Sequence, residues 1–253
     1  MADGVESANV VGYTEVSVAA GKFYMVGAQF TSVGEATTIP MSELVKGNYA
    51  ASAYSQRITQ APQIQILNAD GKTYATYYYL TDAYDEENDD DVLGWADVRG
   101  DLITSVVLHP GDSVWFKAIA ATTLKLAGQV IPEAVAGTTK AITITTTSAN
   151  QFSMIANPFP STLDIASITW NGLTPASYSN RINAAPQIQV LNADGSTYST
   201  YYYLTDAYDE ENDDDVLGWA DVRGDLATTA IAPGCGFWLK LPTAGTVTAT
   251  FGL

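Results

Sequence analysis

The chain has 253 residues, of which 47% are hydrophobic and 15% are charged, a composition typical of a folded protein rather than a disordered one. Its net charge of −17, with only 11 basic residues, disfavours nucleic acid and anionic membranes as partners, because binding either needs a surface rich in Lys and Arg. No stretch reaches the roughly 18 apolar residues of a membrane-spanning helix, so no membrane insertion is predicted.

The most prominent feature of the sequence is an internal repeat. Residues Ala61–Leu102 recur at 185–226, and of these 42 positions only three differ. The differing pairs are Ile66 and Val190, Lys72 and Ser196, and Ala75 and Ser199. The similarity extends further, since Phe23–Phe30 aligns with Phe152–Phe159 and Pro110–Lys117 aligns with Pro233–Lys240. The repeat predicts two homologous domains, residues 1–130 and 131–253, and favours a tandem binding or building unit over a single active site.

At the N-terminus, Met1-Ala2-Asp3 stands directly before a pattern rich in Thr and Tyr, as if an initiator Met preceded a mature secreted chain. We therefore expect an extracellular or cell-surface location. The segment Ala2–Val11 precedes the first repeat and could pair with a sheet edge of a neighbouring molecule.

Alternation of polar and apolar residues with a period of two predicts strands along most of the chain. In the first repeat the predicted strands are Tyr13–Ala19, Lys22–Phe30, Gln63–Leu67, Thr73–Thr81, Ile103–Leu108, Ser113–Ile119 and Thr122–Leu126, and one short helix is predicted at Met41–Lys46. Gln63–Leu67 and Thr73–Thr81 form a predicted hairpin around the turn Asn68–Gly71. The expected fold class is all-β, with two tandem homologous β-sandwich domains of jelly-roll or immunoglobulin-like type.

An acidic run at 82–91 recurs at 206–215, and each run carries seven carboxylates. Fourteen of the 28 acidic residues lie in these runs, so removing them from the net charge of −17 would leave −3. Closely spaced carboxylates suit Ca2+, which takes about six to eight oxygen ligands. The predicted metal ligands are Asp82, Asp85, Glu87, Asp89, Asp91, Asp206, Asp209, Glu211, Asp213 and Asp215. The alternative is a solvated loop that prevents aggregation between sheet edges.

Two further motifs have competing interpretations. The aromatic residues Tyr77, Tyr79 and Trp95 could stack on sugar rings or pack in a core. Alternation places Tyr77 and Tyr79 on one face of their strand and Tyr78 on the other. The tripeptide Arg99–Asp101, repeated at 223–225, matches an adhesion motif, but a tight turn at its glycine, with the arginine offsetting nearby acids, is the preferred interpretation.

Residues for catalysis are scarce. His109 is the only histidine, and its counterpart in the second repeat is Ala232, which argues against a duplicated histidine-based site. Cys235 is the only cysteine and takes the place of Asp112, so no intramolecular disulfide can form. The sequence therefore predicts a protein that is not an enzyme.

The segment Met154–Pro160, followed later by Pro233–Trp238, resembles uncharacterised tandem β-repeat proteins secreted by environmental bacteria. This resemblance implies export and a β fold, and it implies no catalytic residues.

Together these features predict a non-enzymatic secreted structural protein, a self-assembling cell-surface or extracellular fibre subunit stabilised by calcium. Its expected partner is itself, through a head-to-tail contact that does not close into a ring. The alternative is a tandem carbohydrate-binding module, with polysaccharide as the partner.

Overall fold

A computed structural model describes residues 11–134 and 137–253. The structure is 52% strand and 10% helix, arranged in several antiparallel sheets, which confirms the all-β expectation at that level. None of the described helices is long and apolar enough to cross a membrane. Strand β1 (Val11–Val18) shows why the chain folds this way, since exposed Tyr13 and Glu15 alternate with buried Val16 and Val18.

Residues 11–130, the described part of the first half, contain eleven strands and two short helices. The strands are β1 (Val11–Val18), β2 (Phe23–Gly27), β3 (Phe30–Thr31), β4 (Ile39–Pro40), β5 (Lys46–Gly47), β6 (Gln63–Leu67), β7 (Tyr74–Asp85), β8 (Asp90–Ala96), β9 (Val107–Leu108), β10 (Ser113–Lys117) and β11 (Thr122–Val130). The helices are α1 (Met41–Leu44) and α2 (Arg57–Gln60), with a 3₁₀ turn at Tyr54–Gln56.

The second half contains ten strands and one short helix among its described residues. The strands are β12 (Thr139–Thr146), β13 (Gln151–Ala156), β14 (Leu163–Asp164), β15 (Thr169–Asn171), β16 (Gln187–Leu191), β17 (Tyr198–Asp209), β18 (Asp214–Ala220), β19 (Ala230–Ile231), β20 (Gly236–Leu241) and β21 (Gly245–Gly252). The helix is α3 (Arg181–Ala184), and 3₁₀ turns lie at Pro132–Ala134, Ile165–Ser167 and Tyr178–Asn180.

Both halves build the same five-stranded sheet, in the order β2-β10-β6-β7-β8 in the first and β13-β20-β16-β17-β18 in the second. A second sheet accompanies each one: β1-β11-β3, with β5 also paired to β11, in the first half and β12-β21-β15 in the second. Each half has one main hydrophobic cluster, and residues of both its sheets contribute, such as Leu124 and Phe116 in the first half and Val247 and Phe237 in the second. Each main cluster therefore joins residues from both sheets of its half.

Several predicted elements are shorter or longer in the structure. The strand predicted at Lys22–Phe30 is divided into β2 and β3, and only Val107–Leu108 of Ile103–Leu108 is a strand. The helix predicted to reach Lys46 ends at Leu44. Most of Ala2–Val11 lies outside the described residues, but Val11 pairs with Gln129 within the same molecule.

The two halves meet through β2 and β10 of the first and β13 and β20 of the second. Gly27 donates a backbone hydrogen bond to Gly234 at 2.8 Å, and Ala156, which aligns with Gly27, donates one to Gly111 at 2.7 Å. Trp115 also contacts its own counterpart Trp238, with ring centroids 6.0 Å apart. Each contact is thus matched by its mirror pair, the pattern of an isologous twofold interface.

Side chains add to this junction. Lys22 donates to the hydroxyl of Ser196 at 2.6 Å, and Gln151, at the position equivalent to Lys22, donates to the carbonyl of Ala69 at 3.2 Å. Met25, Trp115 and Trp238 form a buried apolar cluster between the halves. The pairing faces of the two repeats are therefore already used within one chain.

Candidate functional site

The acidic run forms the end of a β-hairpin rather than the loop that its charge suggested. Strand β7 continues to Asp85, and β8 begins at Asp90, directly opposite it. Only four residues, 86–89, connect the strands. The second run forms the same hairpin between β17 and β18.

The hairpin tip is held by its own side chains. The Asp85 carboxylate accepts hydrogen bonds from the backbone of Glu87 at 3.0 Å and the amide of Asn88 at 2.8 Å, which lowers the Asp85 pKa. Asp89 adopts a positive φ of 52° and accepts a hydrogen bond from the Tyr84 hydroxyl at 2.6 Å. The tip thus presents its carboxylates on an ordered turn.

Asp82 lies apart from the tip. It occupies a β-bulge between Leu80 and Ala83, where the register of the two strands shifts. Its carboxylate accepts the backbone N–H of Tyr54 at 2.8 Å, and Asp206 accepts that of Tyr178 at the same distance. The two residues therefore anchor a neighbouring segment to the bulge.

The other predicted metal ligands are divided between the faces of the hairpin. Asp85 stands opposite Asp90 in the register and Asp91 stands opposite Tyr84, and directly opposed residues of an antiparallel pair share a face. Asp85 and Asp91 therefore point to different faces. The same holds in the second half, whose predicted ligands are Asp209, Glu211, Asp213 and Asp215. Among residues 11–134 and 137–253, no three His, Cys, Asp or Glu side chains are grouped so that they could hold a metal ion.

The Arg99–Asp101 tripeptide forms a tight turn that braces the hairpin. The Asp97 carboxylate accepts the backbone N–H groups of Arg99, Gly100 and Asp101 at 2.7, 3.1 and 3.2 Å, and Gly100 has a φ of +100°. Arg99 pairs with Asp97 at 3.0 Å and with Asp101 at 2.8 Å. The predicted turn is confirmed, and the backbone of Tyr84 donates to Gly100 at 2.9 Å, tying the turn to β7.

Burial and hydrogen bonding act in opposite directions on Asp97. Partial burial raises the pKa of this carboxyl, but its bonds to the Arg99 backbone and guanidinium outweigh burial, so the pKa lies below its ordinary value. Asp221 makes the same bonds in the second half and its pKa shifts in the same direction.

We use the name outer pole for the hairpin and its bracing turn, residues Leu80–Leu102 in the first half and Leu204–Leu226 in the second. The outer poles are identical in sequence, and each lies at the sheet edge away from the junction. Each displays one strongly exposed leucine on its edge strand, Leu93 at 62% and Leu217 at 60%. An exposed valine accompanies it, Val98 or Val222.

All three sequence differences of the repeated block lie outside the outer poles. Ile66 and Ala75 line a cavity that also contains Phe152 of the other half, and Ser196 binds Lys22 across the junction. The copies therefore differ only in the part of the block that faces the junction.

The aromatic residues considered for sugar binding are buried or partly buried. Trp95 is only 3% exposed, as is its copy Trp219, and the Tyr79 ring lies against Trp95 with centroids 5.3 Å apart. Tyr77 and Tyr79 pack on the main core and Tyr78 packs on the opposite face, as the alternation predicted. Trp95 therefore lies in the core, whereas sugar binding through Tyr77 and Tyr79, which are partly buried, stays a prediction.

The half-exposed aromatics that the sequence analysis missed are Tyr74 and Tyr198, at 38% and 39% exposure. The register could have identified them, because Tyr74 stands opposite Leu67 and shares its face, away from the main core.

His109 and Cys235 show no catalytic arrangement. The imidazole Nδ1 of His109 lies 3.4 Å from Asp112 on the surface, and both side chains are well exposed. Burial raises the pKa of the Cys235 thiol, which opposes formation of a reactive thiolate.

No protein-family model, curated protein or solved structure matches this chain.

Proposed function

We propose that this protein is a non-enzymatic extracellular structural subunit that self-associates through its two outer poles. The observation that carries the proposal is the duplication of one surface: the same 23 residues, including an exposed leucine on an edge strand, stand at both sheet edges remote from the junction. Each chain is then divalent. The proposed extracellular or cell-surface location rests on the resemblance of Met154–Pro160 and Pro233–Trp238 to secreted β-repeat proteins.

The proposal treats each half, residues 1–130 and 131–253, as one β-sandwich domain. Two observations support this division: both halves repeat the same five-strand order, and the main hydrophobic cluster of each contains residues from both of its sheets.

Contact between poles would extend a filament. A contact between two identical poles is isologous and closes on itself, but each chain carries a second pole to bind the next chain. Strand β8 supports this arrangement, because it lies at the edge of its sheet. Its last residues, Trp95 and Ala96, are covered by Ile103 and Leu102, whereas the part of β8 before Trp95 pairs only with β7 among the described residues. An edge strand with a free side can pair with the edge strand of another molecule.

Acidic residues lie along this sheet edge and oppose the approach of another pole. Asp90 and Asp91 are the first two residues of β8, and the seven carboxylates on each hairpin repel those of an approaching pole. We propose that Ca2+ relieves the repulsion, since each ion cancels about two charges and prefers oxygen ligands. No three acidic side chains of one tip are grouped so that they could hold a metal ion. In this scheme the ions are therefore bound between the tips of neighbouring copies.

Light scattering and negative-stain electron microscopy of the purified chain test the proposal. In millimolar Ca2+ we expect concentration-dependent filaments, and in chelator we expect dispersed molecules. Replacing Asp89 and Asp213 by Asn should weaken the response to Ca2+ without disturbing the turn, because Asn tolerates a positive φ well.

A matched pair of variants locates the contact. Leu93→Glu with Leu217→Glu should abolish filaments, whereas Val33→Glu, at an equally exposed position outside the poles, should leave them intact. Dispersed monomers at high concentration, with and without Ca2+, would refute self-assembly.

A further inference from the structure

A cleft at the junction is built from side chains of both halves. It has a volume of 250 Å3, and its lining includes Phe23, Gln65, Tyr74 and Trp115 from the first half and Ser196 and Tyr198 from the second. Residues of both halves are therefore needed to form this cleft.

Strand register directs the first-half residues into this cleft. Trp115 stands opposite Gln65 in the β10–β6 pair, and Tyr74 stands opposite Leu67 in the β6–β7 pair. Residues 65 and 67 are two apart on one strand, so all four side chains lie on the same face of the sheet. That face is the one turned toward the second half, where Trp115 meets Trp238.

The aromatic rings form accessible walls above a buried floor. Tyr74 and Tyr198 are 38% and 39% exposed, whereas Trp115 beneath them is 8% exposed. Phe23 lies edge-on to Trp115 with ring centroids 6.2 Å apart. The cleft therefore offers flat apolar surfaces to which a ligand has access.

Polar groups also face the cleft. The Gln65 side-chain amide has no hydrogen-bond partner within the described part of the protein, and the Ser196 hydroxyl lies at the rim beside Lys22. Burial raises the Tyr74 pKa, so its hydroxyl stays protonated and can donate a hydrogen bond. No charged side chain is among the residues that line the cleft.

These features match a neutral ligand that has apolar faces and hydroxyl groups. A wholly apolar ligand would cover the Gln65 amide without satisfying it, which costs free energy. No charged side chain lines the cleft to neutralise an anionic ligand. The volume lies below the roughly 300–1,000 Å3 of pockets for drug-sized ligands and suits a single sugar ring.

We propose that the junction cleft binds one neutral hexose unit of a polysaccharide, stacked on Tyr74 and Tyr198 and hydrogen-bonded by Gln65. This activity is separate from self-assembly through the outer poles, because Tyr74 and Tyr198 lie outside them.

Titration of the full chain with β-linked hexasaccharides of glucose, mannose, galactose and N-acetylglucosamine tests the proposal, by calorimetry and by tryptophan fluorescence. We expect at least one of them to bind. Tyr74→Ala with Tyr198→Ala should weaken binding about tenfold or more, because it removes both stacking surfaces. Gln65→Ala should weaken it about threefold to tenfold through the lost hydrogen bond.

The control is a second pair of tyrosines with the same exposure. Tyr84 and Tyr208 are 40% and 39% exposed but lie on the acidic hairpins, so replacing both by Ala should leave sugar affinity unchanged. Tyr74→Phe with Tyr198→Phe keeps the rings and should retain affinity within about threefold, which separates loss of stacking from loss of folding.

The proposal is overturned if none of the four hexasaccharides binds at millimolar concentration. It is also overturned if the Tyr84 and Tyr208 variant loses as much affinity as the cleft variant. Light scattering of the cleft variant should show normal assembly, so failure of sugar binding and failure of self-association are separate results.

Discussion

The two ends of the repeated block differ in how well the two copies match in sequence. From Leu80 to Leu102 the two copies are identical, and this end forms the outer poles. At the other end, where the block meets the junction, the copies differ at all three of their variable positions. Both outer poles lie at the sheet edge away from the junction, whereas the junction places different neighbours beside each copy.

Lys72 and Ser196 illustrate the difference. Ser196 accepts a hydrogen bond from Lys22, and a lysine there would place two ammonium groups together. In the equivalent contact of the other copy, Gln151 takes the position of Lys22 and bonds to Ala69, and Lys72 is tolerated. The different neighbours at the junction thus account for the difference between Lys72 and Ser196.

Loss of the junction tryptophans should have the largest effect. Trp115→Ala with Trp238→Ala removes both indoles of the buried cluster, and each change should lower the free energy of unfolding by about 3–5 kcal/mol. Urea denaturation measures the free energy of unfolding. The control is Leu93→Ala on an outer pole, which should change that free energy by close to zero. A total loss below about 1 kcal/mol would show that the halves are not packed together.

The glycine at the centre of the junction sharpens the same comparison. A Cβ on Gly27 would come within 2.4 Å of the Ala156 Cβ, whereas a Cβ on Gly245 meets nothing within 4 Å. We expect Gly27→Ala to cost about 1–3 kcal/mol through overpacking, and Gly245→Ala to cost much less. Equal melting temperatures for the two variants would contradict the close approach.

The bracing turn of each outer pole should contribute a smaller amount. Asp97→Ala leaves three backbone N–H groups without their carboxylate acceptor and should cost about 1–2 kcal/mol, as should Asp221→Ala. Because the folded-state pKa of Asp97 is depressed, its stabilisation is present above the ordinary aspartate pKa and is lost as pH falls through the folded value. The difference in the free energy of unfolding between wild type and variant should therefore shrink below about pH 4. A difference that does not change with pH would show that the ionised carboxylate is not its cause.

The smallest effect concerns the substitution at the junction. Ser196→Lys places a second ammonium beside Lys22 and should cost about 0.5 kcal/mol at low ionic strength, with less in high salt. Lys72→Ser, the reverse change in the other copy, should be nearly neutral. Thermal melts of the two variants at two salt concentrations compare their melting temperatures. Equal shifts in the two variants would show that the residues beside positions 72 and 196 do not determine the effect.

Local patterns predicted the elements that depend on neighbouring residues in the sequence. The β6–β7 hairpin and its turn were predicted from alternation and from Gly71, which has a φ of +64°. The hairpin at the acidic run was missed because its charges obscure the period of two, although Ala83 is fully buried within it. The junction could not be predicted, since Trp115 meets Trp238 only after both halves have folded.

The same limit applies to the candidate sites. The acidic runs were recognised from composition, but their division between two faces follows from the register of Asp85 with Asp90. Burial of Trp95 is likewise a tertiary property, because alternation alone does not say which face is covered.

Sedimentation velocity of variants with a single altered outer pole, in millimolar Ca2+, tests the central claim most directly. Leu93→Glu alone and Leu217→Glu alone each leave one intact pole, so both variants should stop at dimers, while wild type forms long polymers and the double variant stays monomeric. If either single variant still forms polymers, or if the two single variants differ from each other, association does not occur through two equivalent poles.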